Sequence, residues 1–164
     1  MPRHPHRYFD PETGEFELTC FRREGRATFE VRLKQGMTPA EVATLVPLRN
    51  SSFAGGWVEL AVDVFGVFHA RNEASLHFRS ERLCSLLLRR LDLGDCSLSF
   101  LRLRLHLEGL LGHPQELLHD GWLGRRKAKI GDHANTCVWK PPWGTVTLAT
   151  NQKWLEPELH IQWD

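Results

Sequence analysis

Residues 99–109 read SFLRLRLHLEG, and the fold class turns on how that stretch is taken. Leu101, Leu103, Leu105 and Leu107 alternate with Arg102, Arg104, His106 and Glu108. Alternation is the repeat of a β-strand, in which successive side chains point to opposite faces. The spacing predicts a strand over Phe100–Glu108, with a buried leucine row and a polar row in water. One wet face is typical of antiparallel sheets. A slip of one residue would turn all four leucines outward, so the phase is strongly constrained.

Working outward, residues 80–91 read SERLCSLLLRRL. Leu83, Leu87 and Leu91 recur at helical spacing, broadened by Cys84 and Leu86, while Arg82, Arg89 and Arg90 take the remaining surface. The pattern predicts an amphipathic helix over Glu81–Leu91, with Gly94 placed to end it. Further upstream, Thr38-Pro39-Ala40-Glu41 is a capping box with proline at the first helical position. It predicts a helix from Pro39 to about Val46, stopped by Pro47.

Strand signals fill the rest of the chain. Phe16, Leu18 and Cys20 are in phase, as are Phe29, Val31 and Leu33, and the glycine-containing loop between them predicts a hairpin. Trp57–Phe65 alternates through Val58, Leu60, Val62 and Val64, with a partner strand expected at Val67–Asn72 and a short third strand around Leu76 and Phe78. Pro114–His119 has the composition of one helical turn. Four more strands are expected at Arg125–Ile130, Thr136–Lys140, Thr145–Ala149 and Glu158–Trp163, with Lys140–Gly144 a stiff connection. In the last strand Leu159, Ile161 and Trp163 face one way, and Glu158, His160 and Gln162 the other. The expectation is one α+β domain over 1–164, with an irregular lead-in at 1–14. Its sheet is mostly antiparallel, with about eight to ten short strands and two main helices.

Composition narrows the function classes. The 164 residues carry 21 basic and 20 acidic side chains, a formal net charge of +1. That balance argues against a nucleic-acid binder or an anionic-membrane binder. No apolar run reaches the length of a membrane span, and MPRHPHRYF lacks the apolar core of a secretory signal. Cys20, Cys84, Cys96 and Cys137 show no C-x-x-C spacing and read as buried thiols. The location expected from these features is the cytoplasm.

Catalytic and cofactor signatures do not emerge. Nine histidines include no H-E-x-x-H arrangement, and no cysteine pair has ligand spacing, so no metal, cofactor or catalytic residue is assigned. There is no G-x-S-x-G. Gly55-Gly56 leads into strand-like sequence rather than a helix, so it lacks a phosphate cradle. Cys137, near Asp132 and His133, is the one cysteine placed for a nucleophile pair, but its apolar neighbours point to packing. The alternative reading is an enzyme or nucleic-acid-processing protein built on the stretch 113–133, where His113, His119, Asp120, Asp132 and His133 gather.

The order hairpin, leucine-striped helix, amphipathic strand across WVELAVDVFGVFHA, SERLCSLLLRRL and SFLRLRLHLEG resembles that of small bacterial immunity proteins. The resemblance covers residues 57–107 and implies a non-enzymatic protein that neutralises a toxin domain by binding it. On this reading the partner is another protein. Candidate binding residues are Arg102, Arg104 and His106 on the wet strand face, with Trp122 in a glycine-bounded loop and Trp143 after two prolines.

Overall fold

The computed structural model describes residues 10–21, 28–45, 57–58, 62–63, 73–89, 96–121, 124–127, 135–151 and 156–164. The strands are β1 (Phe16–Phe21), β2 (Thr28–Leu33), β3 (Trp57–Val58), β4 (Val62–Asp63), β5 (Glu73–Arg79), β6 (Arg82–Arg89), β7 (Glu116–Gly121), β8 (Gly124–Lys127), β9 (Thr136–Trp139), β10 (Gly144–Asn151) and β11 (Glu156–Trp163). The helices are α1 (Pro39–Leu45) and α2 (Cys96–Leu111). Among the described residues the strands form a three-stranded sheet, β2-β1-β4, and an eight-stranded sheet, β3-β5-β6-β11-β10-β9-β7-β8. The pairings are antiparallel. The α+β class holds, with eleven strands among the described residues where eight to ten were expected for the chain.

Alternation sets the inner face of the large sheet. Val146 and Leu148 of β10 lie opposite Ile161 and Leu159 of β11, which in turn lie opposite Leu86 and Leu88 of β6. All six are fully buried. They share one apolar cluster with Phe16, Val31 and Leu33 of the small sheet, Val42 of α1, and Phe100, Leu103 and Leu107 of α2. Burial at about 25 cal/mol per Å² of apolar surface is the main force joining these layers.

Several local readings hold. The hairpin pairs Phe16 with Leu33 and Phe21 with Thr28. The capping box forms as expected. The Glu41 amide donates to Thr38 Oγ1 at 3.2 Å, and the Thr38 amide donates to Glu41 Oε2 at 2.7 Å. The turn at Pro141–Gly144 closes with the Gly144 amide donating to the Pro141 carbonyl at 3.1 Å. Glycine is required at 144, because a Cβ there would run into the backbone carbonyl of Gln162 on β11.

Two central readings are exchanged. Residues 82–89 are strand, not helix. β6 lies between β5 and β11, so both of its edges are hydrogen-bonded, and Leu83, Leu86 and Leu88 are all buried. A strand buried this thoroughly loses clean alternation and mimics a helix stripe. A bulge adds to the confusion. His77 pairs with Ser85 and Phe78 with Leu83, which leaves Cys84 as the extra residue. Cys84 is half-buried rather than buried, and its thiol donates to the His77 carbonyl at 3.3 Å. The β5–β6 turn has positive φ at both central residues, Ser80 (50°) and Glu81 (58°), the geometry of a tight hairpin.

Residues 100–108 are helix, not strand. The segment from 96 to 111 contains no β-branched residue, and its leucine, arginine and glutamate are good helix formers. Only two of the four alternating leucines, Leu103 and Leu107, are buried.

The expected helical turn at Pro114–His119 is instead mostly the strand β7. The described parts of Trp57–Phe65 join different sheets, β3 pairing with β5 and β4 with β1. The expectations for Val67–Asn72 and Gly94 lie outside the described residues. Part of the irregular lead-in is ordered: Gly14 donates to the Asp10 carbonyl, and the Glu12 amide to Asp10 Oδ1. Two indoles hold this turn. Trp143 Nε1 donates to the Pro11 carbonyl and Trp163 Nε1 to the Gly14 carbonyl, both at 2.8 Å.

Candidate protein-binding surface on helix α2

An α-helix advances about 100° per residue, so residues two apart diverge and residues three or four apart share a face. The row Arg102, Arg104, His106 and Glu108 therefore does not form one surface. It divides into Arg102 with His106 on one flank and Arg104 with Glu108 on the other. The inner stripe is Phe100, Leu103 and Leu107, packed against the large sheet. The outer stripe is Leu101, Leu105 and Gly109, of which Leu101 is 48% and Leu105 58% exposed. Two leucines one turn apart in water are the largest apolar feature among the described exposed residues; the others, Leu45 and Leu117, lie on separate elements.

The flanks are charged. Arg104 Nε donates to Glu108 Oε1 at 2.8 Å, and both side chains are partly exposed. The bond to Glu108 holds the Arg104 guanidinium more firmly protonated than usual. Arginine preceding glutamate is the weaker order for an i,i+4 pair, and Glu108 sits near the helix C-terminus, where the macrodipole disfavours a carboxylate. Arg102 is exposed and His106 half-buried.

The other candidates are dispersed. Trp143 is half-buried, its N–H is used on Pro11, and its ring lies over Gly14, where a Cβ would strike it. It therefore clasps the lead-in turn to the sheet. Trp122, Asp132 and His133 lie outside the described residues. His113 is exposed just before β7, and His119 is half-buried within it. Among the described residues, no three His, Cys, Asp or Glu side chains are grouped to hold a metal ion. Cys137 is fully buried in β9, and burial pushes its thiol up to about 11, far from the thiolate that a nucleophile requires.

The outer leucines escaped the sequence reading because the strand assignment placed all four leucines inside. A wheel drawn at the helical period separates Leu101 and Leu105 from Leu103 and Leu107. The outward face of β10 and β11 is a second polar surface, with Thr145, Thr147, Glu158 and His160 half-buried and Gln162 exposed. Burial pushes the His160 imidazole below its usual range, and the nearby His77 adds to this. No helix among the described residues is long and apolar enough to cross a membrane. Comparison of the chain with known protein families, with characterised proteins and with solved structures finds no match.

Proposed function

We propose that this chain is a non-enzymatic cytoplasmic protein that works by binding another protein chain through the outer face of α2. The observation that carries the reading is the half-exposed pair Leu101 and Leu105, bordered by Arg102 and the Arg104–Glu108 pair. Contiguous apolar surface rimmed by charge is the usual anatomy of a protein-binding patch. Neutralisation of a toxin domain is one form of this function, following the resemblance of residues 57–107 to immunity proteins. In the structure, the striped segment behind that resemblance is a strand and the amphipathic one a helix. The reading therefore rests on the α2 face and not on that layout. Free thiols at Cys84 and Cys137 accord with a reducing compartment.

The test is affinity capture from the native host with wild-type chain and with Leu101→Glu and Leu105→Glu, each checked for an unchanged thermal melt. A stoichiometric partner held by wild type and lost from both variants supports the reading. Partners retained equally by all three overturn it.

A further inference from the structure

We propose that the groove between α1 and the start of β6 binds a small amphipathic carboxylate, with its apolar body on Met37 and Leu45 and its head group between Lys34 and Arg82. The groove has no α2 residue in its lining. The proposal therefore stands apart from the reading of α2 as a protein-binding face.

The fold builds this groove in advance. β2 ends at Leu33, and the chain turns through residues 34–37 before α1 begins. The Gly36 amide donates to the Leu83 carbonyl at 3.0 Å and the Leu83 amide to the Met37 carbonyl at 2.8 Å, which ties the turn to β6. Arg82 Nη1 donates to the Gly36 carbonyl at 3.0 Å, and the Lys34 amide donates to Met37 Sδ at 3.4 Å. The cavity so formed is about 280 Å³, just under the roughly 300–1,000 Å³ of small-ligand sites. Walls that are already fixed spare a ligand the cost of ordering them.

The lining divides into an apolar part and a charged part. Met37 packs against the core, and Leu45 is 41% exposed, one of the few large apolar side chains in water among the described residues. Lys34 and Arg82 are both exposed, and among the described residues neither forms an ion pair. The third charge, Glu41, is already engaged. Its Oε2 accepts from the Thr38 amide at 2.7 Å and from the Thr38 hydroxyl at 3.1 Å. Those bonds, and after them the charges of Arg82 and Lys34, hold the Glu41 carboxyl below its usual range. Two cations against one engaged carboxylate leave a surplus of positive charge beside exposed apolar surface. An anionic head on an apolar body satisfies both parts at once, whereas an apolar amine would meet two like charges.

The experiment is a titration of the ¹⁵N-labelled chain with octanoate, followed by amide chemical shifts, with octylamine and acetate as controls. Octanoate is expected to move the amides of residues 34–45 and of Arg82 saturably. Octylamine, which has the wrong head, and acetate, which has no body, should each bind about tenfold more weakly or worse. Lys34→Glu should weaken octanoate binding about tenfold, and Leu45→Ser should weaken it without changing the preference over octylamine. Glu41→Gln decides the sign of the ligand. Glutamine keeps the capping box but removes the competing charge. Octanoate should then bind roughly twofold to fivefold more tightly. Each variant is checked for an unchanged thermal melt, and Lys34→Met serves as a second removal of the cation if Lys34→Glu melts early. The proposal is overturned by octanoate shifts that do not saturate or that map elsewhere on the chain. Tighter binding of octylamine than of octanoate, or loss of octanoate binding in Glu41→Gln, overturns it as well.

Discussion

β6 and α2 lie close together in the chain, are both rich in leucine and arginine, and adopt opposite structures. Residues 82–89 read RLCSLLLR and form a strand; residues 96–111 read CSLSFLRLRLHLEGLL and form a helix. Neither contains a β-branched residue, so intrinsic propensity favours helix in both. The difference lies in what surrounds them. β6 enters from a two-residue hairpin turn and is hydrogen-bonded on both edges, to β5 and β11. Its backbone is fully satisfied as strand, and leucines on both of its faces are shielded to some degree. α2 has no such neighbours and satisfies its backbone internally. Tertiary pairing overrides propensity in the first case, and propensity overrides a period-2 pattern in the second.

Truncating single leucines separates buried from exposed positions in the two elements. Leu86→Ala in β6 and Leu103→Ala in α2 should each cost about 2–5 kcal/mol by denaturant unfolding. Leu105→Ala should stay within about 0.5 kcal/mol, as expected for an exposed position. Equal losses at Leu103 and Leu105 would mean that all four alternating leucines are buried after all.

Thr38→Ala should cost roughly 0.5–2 kcal/mol, because α1 loses its hydroxyl cap. Here the expectation from sequence and the structure agree, which gives a control for the exchanged pair. The turn entering β6 offers a gain of similar size. Ser80 and Glu81 both hold a left-handed backbone that favours glycine. Glu81→Gly should stabilise the protein by up to about 1 kcal/mol in the same assay. A loss there would show that the Glu81 side chain, not the turn geometry, fixes the entry to β6.

The smallest effect concerns pH. His160 of β11 lies opposite Leu87 of β6, and burial disfavours its charged form. The unfolded chain then binds this proton more readily, so stability falls as pH drops through the ordinary histidine range near 6.5. His160→Gln should flatten the pH dependence of the melting temperature between neutral pH and about pH 5. An unchanged slope would assign it to other groups.

Legibility in the sequence followed the range of the interactions involved. The capping box depends on residues three apart, and the β1–β2 hairpin on neighbouring strands; both were readable. The alternation of Leu159, Ile161 and Trp163 was readable too, because β11 has one wet face. β6 was misread because β11, whose paired residues lie 71 to 77 positions further along the chain, completes its environment. The Arg104–Glu108 pair was hidden by the wrong period, since a strand places residues four apart well out of contact. Trp143 gave no sequence sign of its role, which depends on a turn more than a hundred residues upstream.

The indole bonds from Trp143 and Trp163 to Pro11 and Gly14 span 132 and 149 residues. During synthesis the lead-in turn leaves the ribosome well before the two rings that hold it, which follow 132 and 149 residues later. Until then Gly14 has no ring above it. The clasp therefore closes very long loops, and tryptophan fluorescence from these two rings should report a late step of refolding rather than the initial collapse.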